Sequence, residues 1–291
     1  MADGIAQPCT FTGNSDLYGL GIRLGVYLQW IASIFAYNCS PAETSSMRGV
    51  NTCFQLATAI GLIVMMAQPH DNILALEVFL LLILALGASC DYCTRPAPKV
   101  SEWHIRISPL IEALGANTIG DLIRMTVAAA VCACGSWYAF TGLDRLGRRP
   151  CGDFGFVFVF AKVPLDSGYR SFLKAIFLVS LCLFFAITLL SGYLIYGRFI
   201  EIWRTWGLDR GGEQDQAGKI KPSGAKIFLA MALWSFFVLT VELTLRWNEV
   251  TGVYECRSFS QLFPLIIASA NLFRLALKIG TDIWRGNVTI V

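Results

Sequence analysis

The feature that most limits the fold of this chain is a series of long apolar stretches. A helix needs about 20 apolar residues to cross the roughly 30 Å hydrocarbon core of a bilayer, where every backbone polar group must be satisfied within the protein. Charged residues make up only 15% of the chain, against about 25% in soluble proteins. The sequence therefore predicts an all-α polytopic membrane protein, a single domain over 1–291 that forms a bundle of about seven transmembrane helices. The predicted spans are 17–38, 50–68, 72–90, 118–141, 171–197, 226–246 and 259–280.

The orientation of the bundle is predicted from lysine and arginine, which favour the cytosolic loops. The loops after the third and fifth spans and the C-terminal tail are rich in these residues, and the segment before Arg23 has none. The loop 142–170 is predicted to be non-cytosolic, although it carries five basic residues of its own. We therefore expect an integral, multi-pass protein of the endoplasmic reticulum or another endomembrane, with a non-cytosolic N-terminus.

Several polar residues interrupt the apolar spans. Glu242 and Arg246 stand one helical turn apart in the sixth span, and the other polar residues fall in the outer half of the predicted membrane. Ionisable groups cost about 2.5 to 3.5 kcal/mol each inside a bilayer, so they usually face a partner or a cavity. We predict that these residues meet at one level within the bundle. A structural Glu242–Arg246 ion pair without further function is an equally good interpretation. The remaining members of the predicted cluster are Asp16, Arg23, Tyr27, Glu77 and Gln261.

Other patterns in the chain indicate packing rather than chemistry. Gly21 and Gly25 form a Gly-x-x-x-Gly pattern, which is typical of close helix contact in membranes. Asp121 and Arg124 open the fourth span, and we interpret them as interfacial anchors. Aromatic residues alternate from Phe154 to Phe160, which suits a strand with one apolar face.

The sequence contains no pattern that predicts a metal site or a cofactor. Cys90 and Cys93 form a lone Cys-x-x-Cys, and the two histidines, His70 and His104, stand apart from each other. A structural zinc site usually combines two closely spaced ligand pairs, and the sequence has no second Cys or His pair beside this one. No phosphate loop, dinucleotide fingerprint or basic cluster interleaved with aromatics occurs, so we predict no nucleic-acid partner.

A family resemblance rests on five segments of the chain, which are 14–30, 140–144, 160–163, 240–248 and 251–254. On these segments, and over nearly its whole length, the chain resembles a large group of seven-helix membrane proteins of filamentous fungi. The group is similar to the membrane-bound terpene cyclases of fungal meroterpenoid pathways, of the ascofuranone-pathway type. The chain departs from the group at Ser260, where a glycine is usual.

The resemblance implies a substrate and a reaction. The substrate would be a prenylated or epoxy-prenylated molecule of secondary metabolism, taken from the lipid bilayer and cyclised through carbocations after protonation. An acid that starts such a reaction must keep its proton, and an apolar site favours the neutral carboxyl. Glu77 has no cationic neighbour one turn away, so we predict that it is the proton donor, with Glu242 and Arg246 as orienting or counter-charge groups.

The same hypothesis assigns the other site residues to substrate binding. Aromatic faces stabilise cations by up to about 2 kcal/mol when desolvated. The predicted substrate-binding residues are Asp16, Arg23, Tyr27, Trp30, Trp234, Phe237 and Gln261.

Two other functions remain open at this point. A transporter or channel would use the same acids to relay protons or bind a cation. Against this, the sequence has no internal repeat and no matching pair of helices broken by glycine or proline. A receptor-like or scaffold protein would use the charged pairs for assembly alone.

Overall fold

The protein is predominantly α-helical in a computed structural model. The structure describes residues 10–69, 73–89, 119–147, 152–156, 162–204, 224–256 and 258–285. Six helical segments are long and apolar enough to cross a membrane, which confirms the predicted helical bundle in its main features. These segments are Ser15–Cys39, Glu43–Met66, Leu122–Arg145, Gly168–Gly197, Ile227–Trp247 and Phe259–Trp284.

The helices and short strands follow the chain in a simple order. A π-helical turn covers Tyr138–Gly142. The helices are α1 Ser15–Tyr18, α2 Leu20–Cys39, α3 Pro41–Met66, α4 Ala75–Gly87, α5 Ile119–Trp137, α6 Leu143–Arg145, α7 Gly168–Arg204, α8 Gly224–Trp247 and α9 Phe259–Trp284. The strands are β1 Phe11–Thr12, β2 Phe154–Phe156, β3 Lys162–Pro164 and β4 Val250–Thr251.

The third predicted span, 72–90, corresponds to the short helix α4. Its 13 residues rise about 20 Å, which is less than the bilayer core. Nearly all of its side chains are buried, because α2, α3, α5 and α8 pack around it. The apolar run thus marks the centre of the bundle, where a helix is hydrophobic on every side.

The C-terminal end of α4 lies inside the bundle and is capped by buried side chains. Asn51 Nδ2 and Arg124 Nη2 donate to the carbonyl oxygen of Ala88, at 2.9 and 3.3 Å. Arg124 is completely buried, so its interpretation as an interfacial anchor is wrong. A cation at a helix C-terminus is favoured by the helix dipole and by the carbonyls that lack helical donors.

The predicted close contact of Gly21 and Gly25 is confirmed. A Cβ atom on Gly21 would lie 2.4 Å from the carbonyl oxygen of Gln261, and one on Gly25 would lie 2.6 Å from the carbonyl carbon of Pro264. These glycines therefore let α2 and α9 pack backbone to backbone. This contact fixes α2, which carries Arg23 and Tyr27.

One end of the bundle is covered by short strands and loops. β1 pairs in parallel with β4, and β2 pairs with β3 in an antiparallel hairpin. Asn248 holds this hairpin: its Oδ1 accepts from Phe154 N–H at 2.9 Å and its Nδ2 donates to the Phe154 carbonyl at 2.7 Å. The predicted strand is confirmed over Phe154–Phe156, while 157–160 lie outside the described residues. We call this side of the bundle the capped end.

Candidate functional site

The centre of the candidate site is an ion pair between α2 and α8. Arg23 Nε lies 2.7 Å from Glu242 Oε1, and Arg23 Nη2 lies 3.4 Å from Oε2. The arginine side chain is 0% exposed and the glutamate 34% exposed. Arg23 Nη1 also donates to the carbonyl oxygens of Tyr18 and Val253, at 2.6 and 3.2 Å. The buried guanidinium is thus fully engaged, and only its carboxylate partner reaches solvent.

Helical spacing adds a tyrosine to this pair. Tyr27 follows Arg23 by one turn on α2, and its hydroxyl donates to Glu242 Oε1 at 3.0 Å. Tyr254, in the loop after α8, lies over the guanidinium, with Arg23 Cζ 5.5 Å from the ring centroid. Partial burial raises the pKa of the Tyr254 phenol, and the charge of Arg23 opposes that effect. The Glu242 carboxylate is therefore held by one cation and one phenol from the same helix.

The predicted pairing of Glu242 with Arg246 is wrong. The only ion pair that the described residues give Glu242 is the one to Arg23, whereas Arg246 is exposed beside the same open space. Residues one turn apart on a helix are neighbours in either case. The physical reason for the difference is that Arg246 can be hydrated, whereas a buried Arg23 needs a carboxylate.

A second carboxyl group is linked to the ion pair through Tyr18. The Tyr18 hydroxyl donates to Glu77 Oε1 at 2.6 Å and accepts from the backbone N–H of Asn14 at 3.0 Å. Tyr18 thus contacts Glu77 with its hydroxyl and Arg23 with its backbone carbonyl. Of the residues predicted to meet, Arg23, Tyr27 and Glu242 are in direct contact, whereas Glu77 is hydrogen-bonded to Tyr18.

Sequence reasoning missed Tyr18 itself. A tyrosine near the start of a span usually indicates an anchor at the membrane interface, yet the side chain of Tyr18 is 0% exposed. Asn14, whose side chain caps α1 by accepting from the N–H of Asp16, was the available signal. This cap indicates that a helix begins before Tyr18, and in that helix the tyrosine side chain is buried in the bundle.

The predicted aromatic residues form a packed cluster deeper in the bundle. Trp30 lies 5.6 Å from Tyr27 and 6.2 Å from Phe237, measured between ring centroids. Trp234 Nε1 donates to the Tyr27 carbonyl at 3.1 Å. Trp30 is 2% exposed, and it fills the space beside Gly87 of α4. These rings pack against Tyr27, which contacts Glu242. They are not among the residues that line the cavity described next.

A cavity of about 970 Å³ opens beside Glu242 at the capped end. Its wall is mixed: apolar side chains of α8 alternate with charged ones, and three of the four charged residues are acidic. The lining residues are Thr10, Leu239, Glu242, Leu243, Arg246, Glu249, Val250, Thr251, Gly252, Tyr254 and Glu255.

Glu249 occupies an unusual position on this wall. Its φ angle is 50°, and it is the one non-glycine residue with a positive φ in the part of the chain that the structure describes. Helices often end with a residue in this conformation, but glycine is the usual one. Strained residues cluster at functional sites, so the carboxylate at this rim is a further candidate site residue.

Asp16 and Gln261 lie apart from the ion pair. Asp16 is exposed, and its Oδ1 accepts from the hydroxyls of Ser258 and Ser260, at 3.2 and 2.8 Å. Gln261 is 1% exposed and packs against Gly19 and Gly21. The prediction placed both in one group with Arg23, but their contacts belong to the junction of α1, α2 and α9.

Comparison with known proteins adds no assignment. No family model, no curated protein and no solved structure matches the chain. Within the described residues, no group of three or more histidine, cysteine, aspartate or glutamate side chains is arranged to hold a metal ion. Cys90, Cys93, His70 and His104 lie outside those residues.

Proposed function

We propose that the protein is an integral membrane terpene cyclase that acts on a prenylated or epoxy-prenylated substrate by acid-initiated carbocation cyclisation. The observation that carries the proposal is Glu242, which Arg23 and Tyr27 hold at the wall of a cavity of about 970 Å³. A second carboxyl group, Glu77, is hydrogen-bonded to Tyr18, whose carbonyl contacts Arg23. The six apolar helices and the apolar part of the cavity wall suit a lipid-soluble substrate.

Glu77 is the proton donor in this proposal. No lysine or arginine among the described residues forms an ion pair with it, and the carboxyl is only partly buried. Tyr18 donates to Oε1, which leaves Oε2 free to carry a proton. Transfer of that proton to an epoxide oxygen breaks the C–O bond and leaves a tertiary cation, which the next alkene attacks.

Glu242 has the opposite role. Arg23 and Tyr27 hold it as an oriented anion at the cavity wall, where a negative charge stabilises a passing carbocation. The last cation loses a proton to form an alkene, and Glu242 is the base that accepts it. Arg246, one turn further along α8 on the same wall, orients polar groups of the substrate.

The proposal includes the membrane setting. The capped end would face the non-cytosolic side, with the N-terminus, in the endoplasmic reticulum or another endomembrane. The support is the low count of basic residues before Arg23 and the apolar surface of the helices, where large side chains such as Phe228 and Phe263 are exposed.

The test is product formation in microsomes that contain the protein. An epoxyfarnesyl phenol is supplied, and cyclic products are measured by liquid chromatography and mass spectrometry. Glu77→Gln should lower product formation by about 10² to 10⁴-fold, because it removes the general acid. Glu43→Gln is the matched control, since Glu43 pairs with Arg274 away from the site. Absence of any cyclic product with the native chain, or full activity in Glu77→Gln, contradicts the proposal.

A transporter is the second candidate, and the short helix α4 is the observation that favours it. Its C-terminus lies inside the bundle, and transporters bind ions at such interrupted helices. In that case, substrate flux into proteoliposomes would collapse in Glu242→Gln, and no cyclic product would form.

A further inference from the structure

A second concave surface lies away from the ion pair, between α2, α3 and α9. It is a groove of about 360 Å³ that shares no lining residue with the cavity beside Glu242. Its walls are largely apolar, with Ile22 and Val26 from α2, Phe54 from α3 and Ile267 from α9. Such a surface suits a hydrocarbon chain.

The groove has the length of one membrane leaflet. Along α3 it runs from Val50 to Gly61, and 11 helical steps correspond to about 16 Å. One leaflet contributes about half of the roughly 30 Å hydrocarbon core. A single acyl chain that enters at the capped end would therefore reach the midplane along this groove.

The end of the groove near the membrane surface is polar and negatively charged. Asp16 and Ser260 line it, and Asp16 Oδ1 accepts from the hydroxyls of Ser258 and Ser260. No lysine or arginine among the described residues forms an ion pair with Asp16. The carboxylate and the two serine oxygens are acceptors for a group with several N–H donors and a positive charge.

We propose that this groove binds a membrane phospholipid with a primary ammonium head group, of the phosphatidylethanolamine type. The ammonium contacts Asp16 and the serine oxygens, and one acyl chain lies between α2, α3 and α9. The site is separate from the proposed cyclase cavity, so it stands whether or not the enzymatic proposal is correct.

The chain provides its own reporter for this site. Cys53 lines the groove and is an exposed free thiol, whereas Cys182 is an exposed free thiol on α7. Phosphatidylethanolamine added to the purified protein in detergent should slow alkylation of Cys53 by N-ethylmaleimide and leave Cys182 unchanged. Phosphatidylglycerol and phosphatidylcholine with the same acyl chains should slow the alkylation of Cys53 less, because neither head group has ammonium N–H donors.

Two variants test the proposed contacts by native mass spectrometry. Asp16→Asn keeps the oxygen that accepts from the serines and removes the charge, so its affinity for phosphatidylethanolamine should fall about threefold to fivefold. Ala57→Phe fills the groove and should abolish protection of Cys53. Asp282→Asn is the control, because Asp282 pairs with Lys278 near the other end of α9.

The proposal is overturned by any of three results. Equal protection of Cys53 by all three lipids would mean that no head group is recognised. Equal slowing at Cys182 would mean that lipid coats the whole surface. Unchanged affinity in Asp16→Asn would remove the charged contact on which the choice of lipid depends.

Discussion

Arg23 and Arg124, the two fully buried arginines among the described residues, have different environments. Arg23 contacts a carboxylate that reaches an open cavity. Arg124 donates to the carbonyl of Ala88 at the end of α4, deep among packed helices. Arg23 therefore contacts a carboxylate that is partly open to solvent, and it also contacts the carbonyl of Tyr18, the residue that binds Glu77. Arg124 instead caps the C-terminal end of α4.

This difference teaches that a buried charge does not by itself mark a site. Burying a cation requires acceptors, and both a carboxylate and a helix C-terminus provide them. What distinguishes Arg23 is that its partner, Glu242, is 34% exposed at the edge of a cavity. Access to that cavity is therefore the property that the following experiments test.

Of the substitutions that compare the two arginines, Arg23→Gln should have the larger effect. It leaves Glu242 without its cation and should lower product formation by the proposed cyclase by about 10² to 10³-fold, as loss of a preorganised electrostatic contact does. The free energy of unfolding should fall by roughly 2 to 4 kcal/mol, less than for a sealed pair because Glu242 is partly hydrated. Denaturation in detergent and turnover in microsomes measure both quantities.

Arg124→Gln should separate stability from activity. Loss of the charged donor to Ala88 should reduce the free energy of unfolding by roughly 1.5 to 3 kcal/mol. Turnover per folded molecule should stay at the native level, since Arg124 lies away from the cavity. A drop in turnover comparable to that of Arg23→Gln would show that the two arginines act as one site.

The corrected ion pair is tested by two changes on one helix. Glu242→Gln should lower the free energy of unfolding by about 2 to 4 kcal/mol, because it leaves the fully buried Arg23 without its counter-charge. Arg246→Gln, one turn further on, should change it by less than about 0.5 kcal/mol, as an exposed position does. Thermal denaturation of the two variants in the same detergent is the measurement, and the reverse order would restore the pairing predicted from the sequence.

The smallest effect is expected at the cavity rim. Glu249→Gly should raise the free energy of unfolding by about 1 kcal/mol, because glycine adopts a positive φ without steric cost. If the carboxylate contributes to the site, the same variant should lose activity while gaining stability. A less stable Glu249→Gly protein would indicate that the carboxylate makes a contact that outweighs its strain.

Much of this arrangement could be predicted from the sequence, and the predictions that were wrong have physical reasons. Apolar length predicts seven spans, of which six are long helices and the third, 72–90, is the short buried helix α4. The period of a helix places Arg23 and Tyr27 on one face. The Gly21 and Gly25 pattern predicts a close contact, which α9 provides. The partner of Glu242 could not be predicted, because the sequence offers both Arg23 and Arg246 as cations of the same kind. Only the packing of the helices shows that Arg23 is the buried one.

The sequence by itself determined that the chain forms apolar helices and that a few charged groups must be accommodated among them, because both follow from composition and local periodicity. Only the tertiary structure decided which charges meet. It joined residues 23 and 242 across 219 positions of the chain, buried Arg124 at a helix end, and left Asp16 beside a separate groove. Ion-pair partners are chosen by burial and distance, and neither quantity exists until the helices have packed.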